Sequence, residues 1–249
     1  RADVLTALDL QDDNDLLPCP ECFPDVGEVV ERDQLEDTLV QIPLLQRPLL
    51  VHADGGVGKT VFMNSIAARL APEHEVVLFD CFGMGQYRVP GDARHLPERG
   101  LVHLANDLAC RGLCDPLLPT LTSNSDDIIR AFRSRLSQAV ETGRRAQADR
   151  QLVLLLDAID NAGEQARDRG QDSFPKLLLE SFCYGERIDG IQVVVSSRTH
   201  RRRIAVGSVP CEELALRAFT PSESALYLSQ RLSNPSEVTL QVASSPSRG

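Results

Sequence analysis

A mostly apolar pentapeptide, Leu49-Leu50-Val51-His52-Ala53, runs directly into Asp54-Gly55-Gly56-Val57-Gly58-Lys59-Thr60, and this junction limits the chain to few folds. A buried strand must deliver a glycine-rich loop to the N-terminus of the next helix, where backbone N–H groups and the helix dipole favour an anion. Gly55, Gly56 and Gly58 permit backbone conformations and a close phosphate approach that a Cβ would obstruct. Lys59 supplies a cationic point charge, and Thr60 supplies a hydroxyl for Mg²⁺. Ala53 stands where the strict pattern has its first glycine, a methyl that is tolerable at negative φ. Val61, Phe62, Ile66 and Leu70 then follow with helical spacing. Residues 53–61 are therefore expected to cradle the phosphates of a nucleoside triphosphate.

With 249 residues, the chain has room for one α/β domain with a sizeable core and a small appendage. Hydrophobic content of 42% and charged content of 25% suit a globular chain. No apolar run approaches the length of a membrane span and no secretory leader opens the sequence, so the expected setting is cytoplasmic, without a membrane partner. A net charge of −10 argues against nucleic acid as the partner of the whole surface. The basic run Arg198, His200, Arg201, Arg202, Arg203 reads as a solvated turn, with a local basic patch as the alternative. Seven scattered cysteines suit a reducing compartment. Cys19-Pro-Glu-Cys22 is half a zinc site lacking a second pair of like spacing, and reads as free thiols.

Along the chain, residues 1–28 are linker-like and are expected to be the tail of an upstream region, so that the chain is a fragment of a longer polypeptide. Residues 29–217 form the main domain. Strands are expected at 49–53, 75–80, 152–156, 191–195 and 212–216, alternating with helices that include 31–40, 59–70, a long one N-capped by Ser125, and 174–183. Alternation of this kind implies right-handed crossovers and a parallel sheet flanked by helices. From residue 218 the pattern changes: Thr220-Pro221-Ser222-Glu223 and Asn234-Pro235-Ser236-Glu237 each announce a capped helix, with no strand between, as the start of a helical lid truncated at Gly249.

Hydrolysis also needs a carboxylate near Mg²⁺ and a group to orient the attacking water. Asp157 closes the apolar run 152–156 and should emerge at the sheet edge beside Thr60. Asp160 lies three residues on, either as the general base or as a helix N-cap. Arg198 follows Ser196 and Ser197 after another buried run, in place to act as an arginine finger in cis or as an ordinary surface arginine. No Asn-Lys-x-Asp segment reads a guanine edge, which makes ATP the expected nucleotide.

Taken together, residues 53–60, the 155–160 strand end, the 195–198 strand end and the capped helices after Phe219 resemble the nucleotide-binding module of the STAND family of signal-transduction ATPases, which includes the NACHT and apoptotic-ATPase branches. The segments 80–88 and 106–116 look like prokaryotic members associated with defence against phage. The resemblance implies a P-loop NTPase with a five-stranded sheet, the phosphate-loop strand central, ATP or ADP with Mg²⁺ in the cleft, and a helical lid. It implies Lys59 on the phosphates, Thr60 and Asp157 on Mg²⁺, Asp160 as water-activating acid, Arg198 as sensor, and adenine near Glu31, Arg32 and Asp33. Asn161 stands where many members carry a second acid, which implies slower hydrolysis. The implied activity is a switch: ADP holds it closed, ATP favours self-association, and ligand-sensing and effector domains lie outside this chain. Two turnover enzymes remain as alternatives. One is a motor or loader of the AAA+ type, which needs a trans arginine finger, although Arg144, Arg145 and Arg150 read as a loop at no diagnostic spacing; the other is a small-molecule kinase using Asp80 and Arg88, and a scaffold that binds nucleotide without hydrolysing it is a further reading.

Overall fold

Four largely apolar runs and the short, half-exposed segment Glu212–Ala215 become five strands whose backbones pair in one direction. The computed structural model describes residues 2–19, 29–89 and 92–231. A short helix α1 (Ala2–Ala7) is followed by α2 (Leu35–Gln41), β1 (Leu49–Ala53), α3 (Lys59–Leu70), β2 (Glu75–Asp80), α4 (Pro97–Cys110), α5 (Ser125–Ala146) and β3 (Leu152–Asp157). Then come α6 (Ile159–Asp168), α7 (Phe174–Tyr184), β4 (Ile191–Arg198), α8 (Arg202–Val206), β5 (Glu212–Ala215) and α9 (Pro221–Arg231). The strand order is β2-β3-β4-β1-β5, parallel at every pairing.

The phosphate-loop strand is therefore interior but not central, since β4 takes the middle position and β1 lies between β4 and β5. Strand order is a matter of which crossover passes over which, and hydrophobic period carries no information about it.

Alternate residues of the strands feed two apolar layers. Leu49, Val51, Val153, Leu155 and Val194 pack with Leu35, Ile42, Phe62, Met63 and Ile66 on the α2–α3 side. Leu50, Val77, Phe79, Leu154, Leu156 and Val195 pack on the opposite side against α4 to α8. Strands buried on both faces explain why β3 reads as unbroken apolar sequence.

Several local expectations shift. The cap of α5 is Asn124, whose side chain accepts the Asp127 N–H at 2.9 Å in a reciprocal box, one residue before Ser125. β4 extends through Ser196 and Ser197 to Arg198, because the β4 ladder to β1 continues past the apolar run. The basic run is not one open turn, since Arg198 ends β4 and Arg202 opens α8. Leu16 and Cys19 are buried, and the Asn106 amide donates to the Leu16 carbonyl at 2.8 Å, so this part of the linker-like segment lies against α4. Cys22 and the second capped helix, at 234–237, lie outside the described residues. No helix among the described residues is long and apolar enough to cross a membrane.

Candidate nucleotide site

The carboxyl ends of four strands meet at one edge: Ala53 pairs with Arg198, and Asp80 pairs with Asp157. Chemistry in parallel α/β sheets collects at this edge. Gly56 and Gly58 take φ of 82° and 97°, in the left-handed region where a Cβ is strained, and Gly58 is the residue from which α3 starts. Among the described residues, the positive-φ non-glycine positions are Asp9, Met84 and Ala158, so Ala53 tolerates its methyl without strain. The N–H groups of Gly55 to Thr60 donate to no backbone carbonyl among the described residues, as an anion cradle requires. Lys59 Nζ donates to the carbonyls of Ala53 and Asp54 at 3.0 and 2.9 Å, which holds the ammonium against the mouth of the loop. Burial lowers its pKa, against the pull of the Asp160 and Asp157 charges.

Thr60 Oγ1 donates to Asp157 Oδ2 at 2.6 Å, and Ser196 Oγ donates to Asp157 Oδ1. Ser196 in turn accepts the Ala158 N–H at 2.9 Å. Asp157 is 2% exposed. Burial pushes its pKa up, and the Ser196 and Thr60 hydroxyls oppose that push. Thr60 and Asp157 are hard oxygen donors in direct contact, a set that fits Mg²⁺.

Ala158 has φ 57°, a left-handed alanine between the acid and α6, a conformation that costs about 1–2 kcal/mol. This reversal lets α6 begin at once, with Asp160 as its second residue and Ala158 as its cap, so the N-cap reading of Asp160 does not hold. Asp160 is instead 1% exposed and faces the sheet edge. Its Oδ1 accepts the Arg198 N–H at 3.3 Å. Its Oδ2 makes no hydrogen bond and lies 3.9 Å from both Arg198 Nε and Arg201 Nη1. A buried carboxylate oxygen without a hydrogen-bond partner is costly unless a ligand or water completes it.

Three further side chains surround these residues in ways the sequence did not assign. Ser196, read from the sequence as part of a polar strand tip, bonds Asp157. Arg201, within a run that read as a solvated turn, pairs with Glu164 at 2.7 Å as well as approaching Asp160. Asp80 is buried beside Asp157, its Oδ1 and Oδ2 accepting the N–H groups of Phe82 and Gly83 at 2.7 and 2.9 Å. Burial raises its pKa to about 6, with the Phe82 N–H opposing and the Asp157 charge adding to the rise.

The entry segment lies across the loop. Val30, Arg32, Gly58, Val61, Phe219 and Tyr227 line much of a pocket of about 150 Å³. Arg32 turns to protein groups: its Nη1 donates to the Val57 carbonyl at 3.0 Å, its Nη2 to the Arg217 carbonyl and its Nε to Glu223 Oε1 at 3.2 Å. Arg150, a candidate finger for the motor reading, pairs with Glu75 at 2.9 Å at the opposite end of the sheet. Arg88, named for the kinase reading, is folded onto Tyr87, donating from Nε to its hydroxyl at 2.8 Å.

Among solved structures, the chain is similar to the ORC2 protein of Aeropyrum pernix in ADPNP and ADP complexes, at 15% identity and a TM-score of 0.50, over 88% of this chain and 56% of that one. It also matches a signal transduction ATPase with numerous domains, bearing a tetratricopeptide repeat sensor, from Pyrococcus horikoshii, at 15% identity and a TM-score of 0.45, over 94% of this chain and 28% of that one. The chain thus spans little more than half of the first and under a third of the second. The first likeness is one of fold alone, a parallel α/β sheet flanked by helices. No curated protein matches the chain. The NACHT domain profile matches residues 47–235, from just before β1 to beyond α9, and the chain belongs to the NACHT domain family.

Proposed function

We propose that this NACHT domain binds ATP with Mg²⁺, hydrolyses it slowly, and works as a switch whose nucleotide state governs self-association and the activation of an effector. The observation that carries the reading is Asp160: a buried carboxylate with one oxygen free of hydrogen bonds, set beside Arg198 at the same sheet edge as the Thr60–Asp157 pair.

Residues 53–61 hold the phosphates through backbone N–H groups, and Lys59 adds a positive point charge. Thr60 and Asp157 would hold Mg²⁺, which would shield phosphate charge. Asp160 Oδ2 takes a proton from the attacking water as the water oxygen bonds the γ-phosphorus and the bond to the bridging oxygen breaks, leaving ADP and inorganic phosphate. Arg198 stabilises charge on the transferred group. Asn161, adjacent to Asp160 on α6, supplies no second carboxylate, which favours slow turnover. Residues 29–217 make up the NTPase domain and 218–249 belong to its helical lid. The sensor and effector act from outside this chain, in the cytoplasm, and the family resemblance of segments 80–88 and 106–116 supports a role in defence against phage.

The test is to purify the protein without added nucleotide, denature it, identify what it carried, and then measure ATP turnover. Retained ADP with turnover well below one per second supports the switch. An empty site with continuous rapid turnover overturns it in favour of a motor or kinase, and a guanine nucleotide overturns the choice of base.

A further inference from the structure

The Thr220–Glu223 cap needs only one of Glu223's two carboxylate oxygens. Oε2 accepts the Thr220 N–H at 2.6 Å, while Thr220 Oγ1 accepts the Glu223 N–H at 3.2 Å, a complete capping box for α9. The other oxygen leaves the helix. Oε1 accepts the Asp33 N–H at 2.9 Å and Arg32 Nε at 3.2 Å, from the opposite end of the domain sequence. The pair is shut away from solvent, with Glu223 5% exposed.

Arg32 is committed on all three guanidinium nitrogens. Besides Glu223 it reaches the Val57 carbonyl at 3.0 Å and the Arg217 carbonyl, and its plane lies over the Phe219 ring at 4.6 Å. Val57 sits between Gly56 and Gly58, the two left-handed glycines of the phosphate loop. Arg217 and Phe219 belong to the link from β5 into α9. One rigid planar group therefore joins the phosphate loop, the exit from the sheet and the first turn of the lid. Its donors point in fixed directions, so it holds all three acceptors only in one arrangement. Separating a buried ion pair leaves an uncompensated charge on each side, which makes release of the lid a discrete event rather than a gradual drift.

We infer that Arg32 and Glu223 form a clamp that ties the lid helix to the phosphate loop, with Glu223 the positioning residue that sets how fast bound nucleotide escapes. The inference rests on the nucleotide-binding reading above and deepens it, giving Arg32 a coupling role in place of direct contact with the nucleotide.

The experiment follows displacement of ADP labelled on its ribose by excess unlabelled ADP in the 249-residue protein and its variants. Glu223→Gln keeps an oxygen for the Thr220 N–H but loses the charge that holds Arg32, and should speed release at least tenfold. Thr220→Ala removes the hydroxyl half of the cap and leaves the clamp, and should change release less than twofold. The double variant Arg32→Lys/Glu223→Gln should release no more than twofold faster than the quicker of the two single variants Arg32→Lys and Glu223→Gln, because each change already opens the clamp. Should Glu223→Gln fail to fold, Arg32→Lys carries the same tenfold expectation, since an ammonium cannot span the three acceptors. Wild-type release rates in Glu223→Gln or Arg32→Lys, equal acceleration by Thr220→Ala, or multiplicative single effects overturn the clamp alone. Absence of ADP binding by the wild type overturns the nucleotide reading and the clamp with it.

Discussion

Replacing Asp157 by asparagine should stabilise the nucleotide-free protein and at the same time weaken its response to Mg-ATP. The side chain is buried at the carboxyl edge of β3, and burial raises its pKa against the two hydroxyl donors, Ser196 and Thr60. An ionised carboxylate in such a place forfeits hydration worth several kcal/mol, and two charge-assisted hydrogen bonds return about 1.5–3 kcal/mol each. The balance is near zero or slightly against folding. Asparagine has nearly the same shape and no charge. It keeps an oxygen for Thr60 and offers its NH₂ to Ser196 Oγ, which has a lone pair to accept it. The expected gain is about 1 kcal/mol, a rise of about 2–4 °C in Tm for a chain of this length. Ligand linkage moves the other way. Mg-ATP at a hundred times its Kd stabilises the wild type by about 2.7 kcal/mol, and a variant that binds tenfold more weakly retains about 1.4 kcal/mol. Thermal melts with and without ATP and MgCl₂ read both quantities. A nucleotide-free variant less stable than wild type, or an undiminished Mg-ATP shift, refutes the reasoning that this acid is held in an unfavourable place for metal binding.

Four further outcomes follow from the same fold. Lys59→Ala should abolish ATP binding, whereas Asp160→Asn should retain binding in equilibrium dialysis and slow turnover by about 10²–10⁴-fold; turnover within threefold of wild type removes Asp160 from the proton transfer. Asp80 is protonated more readily in the folded protein, at about 6 against an ordinary 3.8. Its contribution to stability therefore falls as pH rises from about 4 to about 6 and is constant above, a span of about 3 kcal/mol. Asp80→Asn should flatten that part of the denaturation-midpoint profile, and an unchanged slope rejects the assignment. Gly163 of α6 packs on α8, where an added Cβ would lie 2.7 Å from the Ile204 carbonyl oxygen. Gly163→Ala should lower stability by about 1–3 kcal/mol in urea unfolding and, by shifting the Arg201–Glu164 pair, slow ATP turnover.

Much of this site was legible because its parts are local. A five-residue apolar run, two left-handed glycines and a helix starting at Lys59 occupy consecutive residues, so loop and period reveal each other. The same holds for Asp157, which directly closes an apolar run, and for Glu223, three residues after its capping threonine. Asp160 shows the limit of such reading. Its distance from Asp157 suited either a catalytic acid or a helix cap, and the decision lay in the left-handed backbone of Ala158, a residue with no sequence tendency toward that conformation.

Sequence alone determined the strands, the phosphate loop, the acids at the strand ends and the family to which they point, because each depends on the order of residues within a few turns of chain. Tertiary structure decided that β1 lies beside β5 rather than at the centre, that Asp80 stands next to Asp157, and that Arg32 meets Glu223. Those facts depend on crossover paths and on pairs separated by dozens to nearly two hundred residues. A helical or strand period is blind at that range, and packing in three dimensions alone selects the partner.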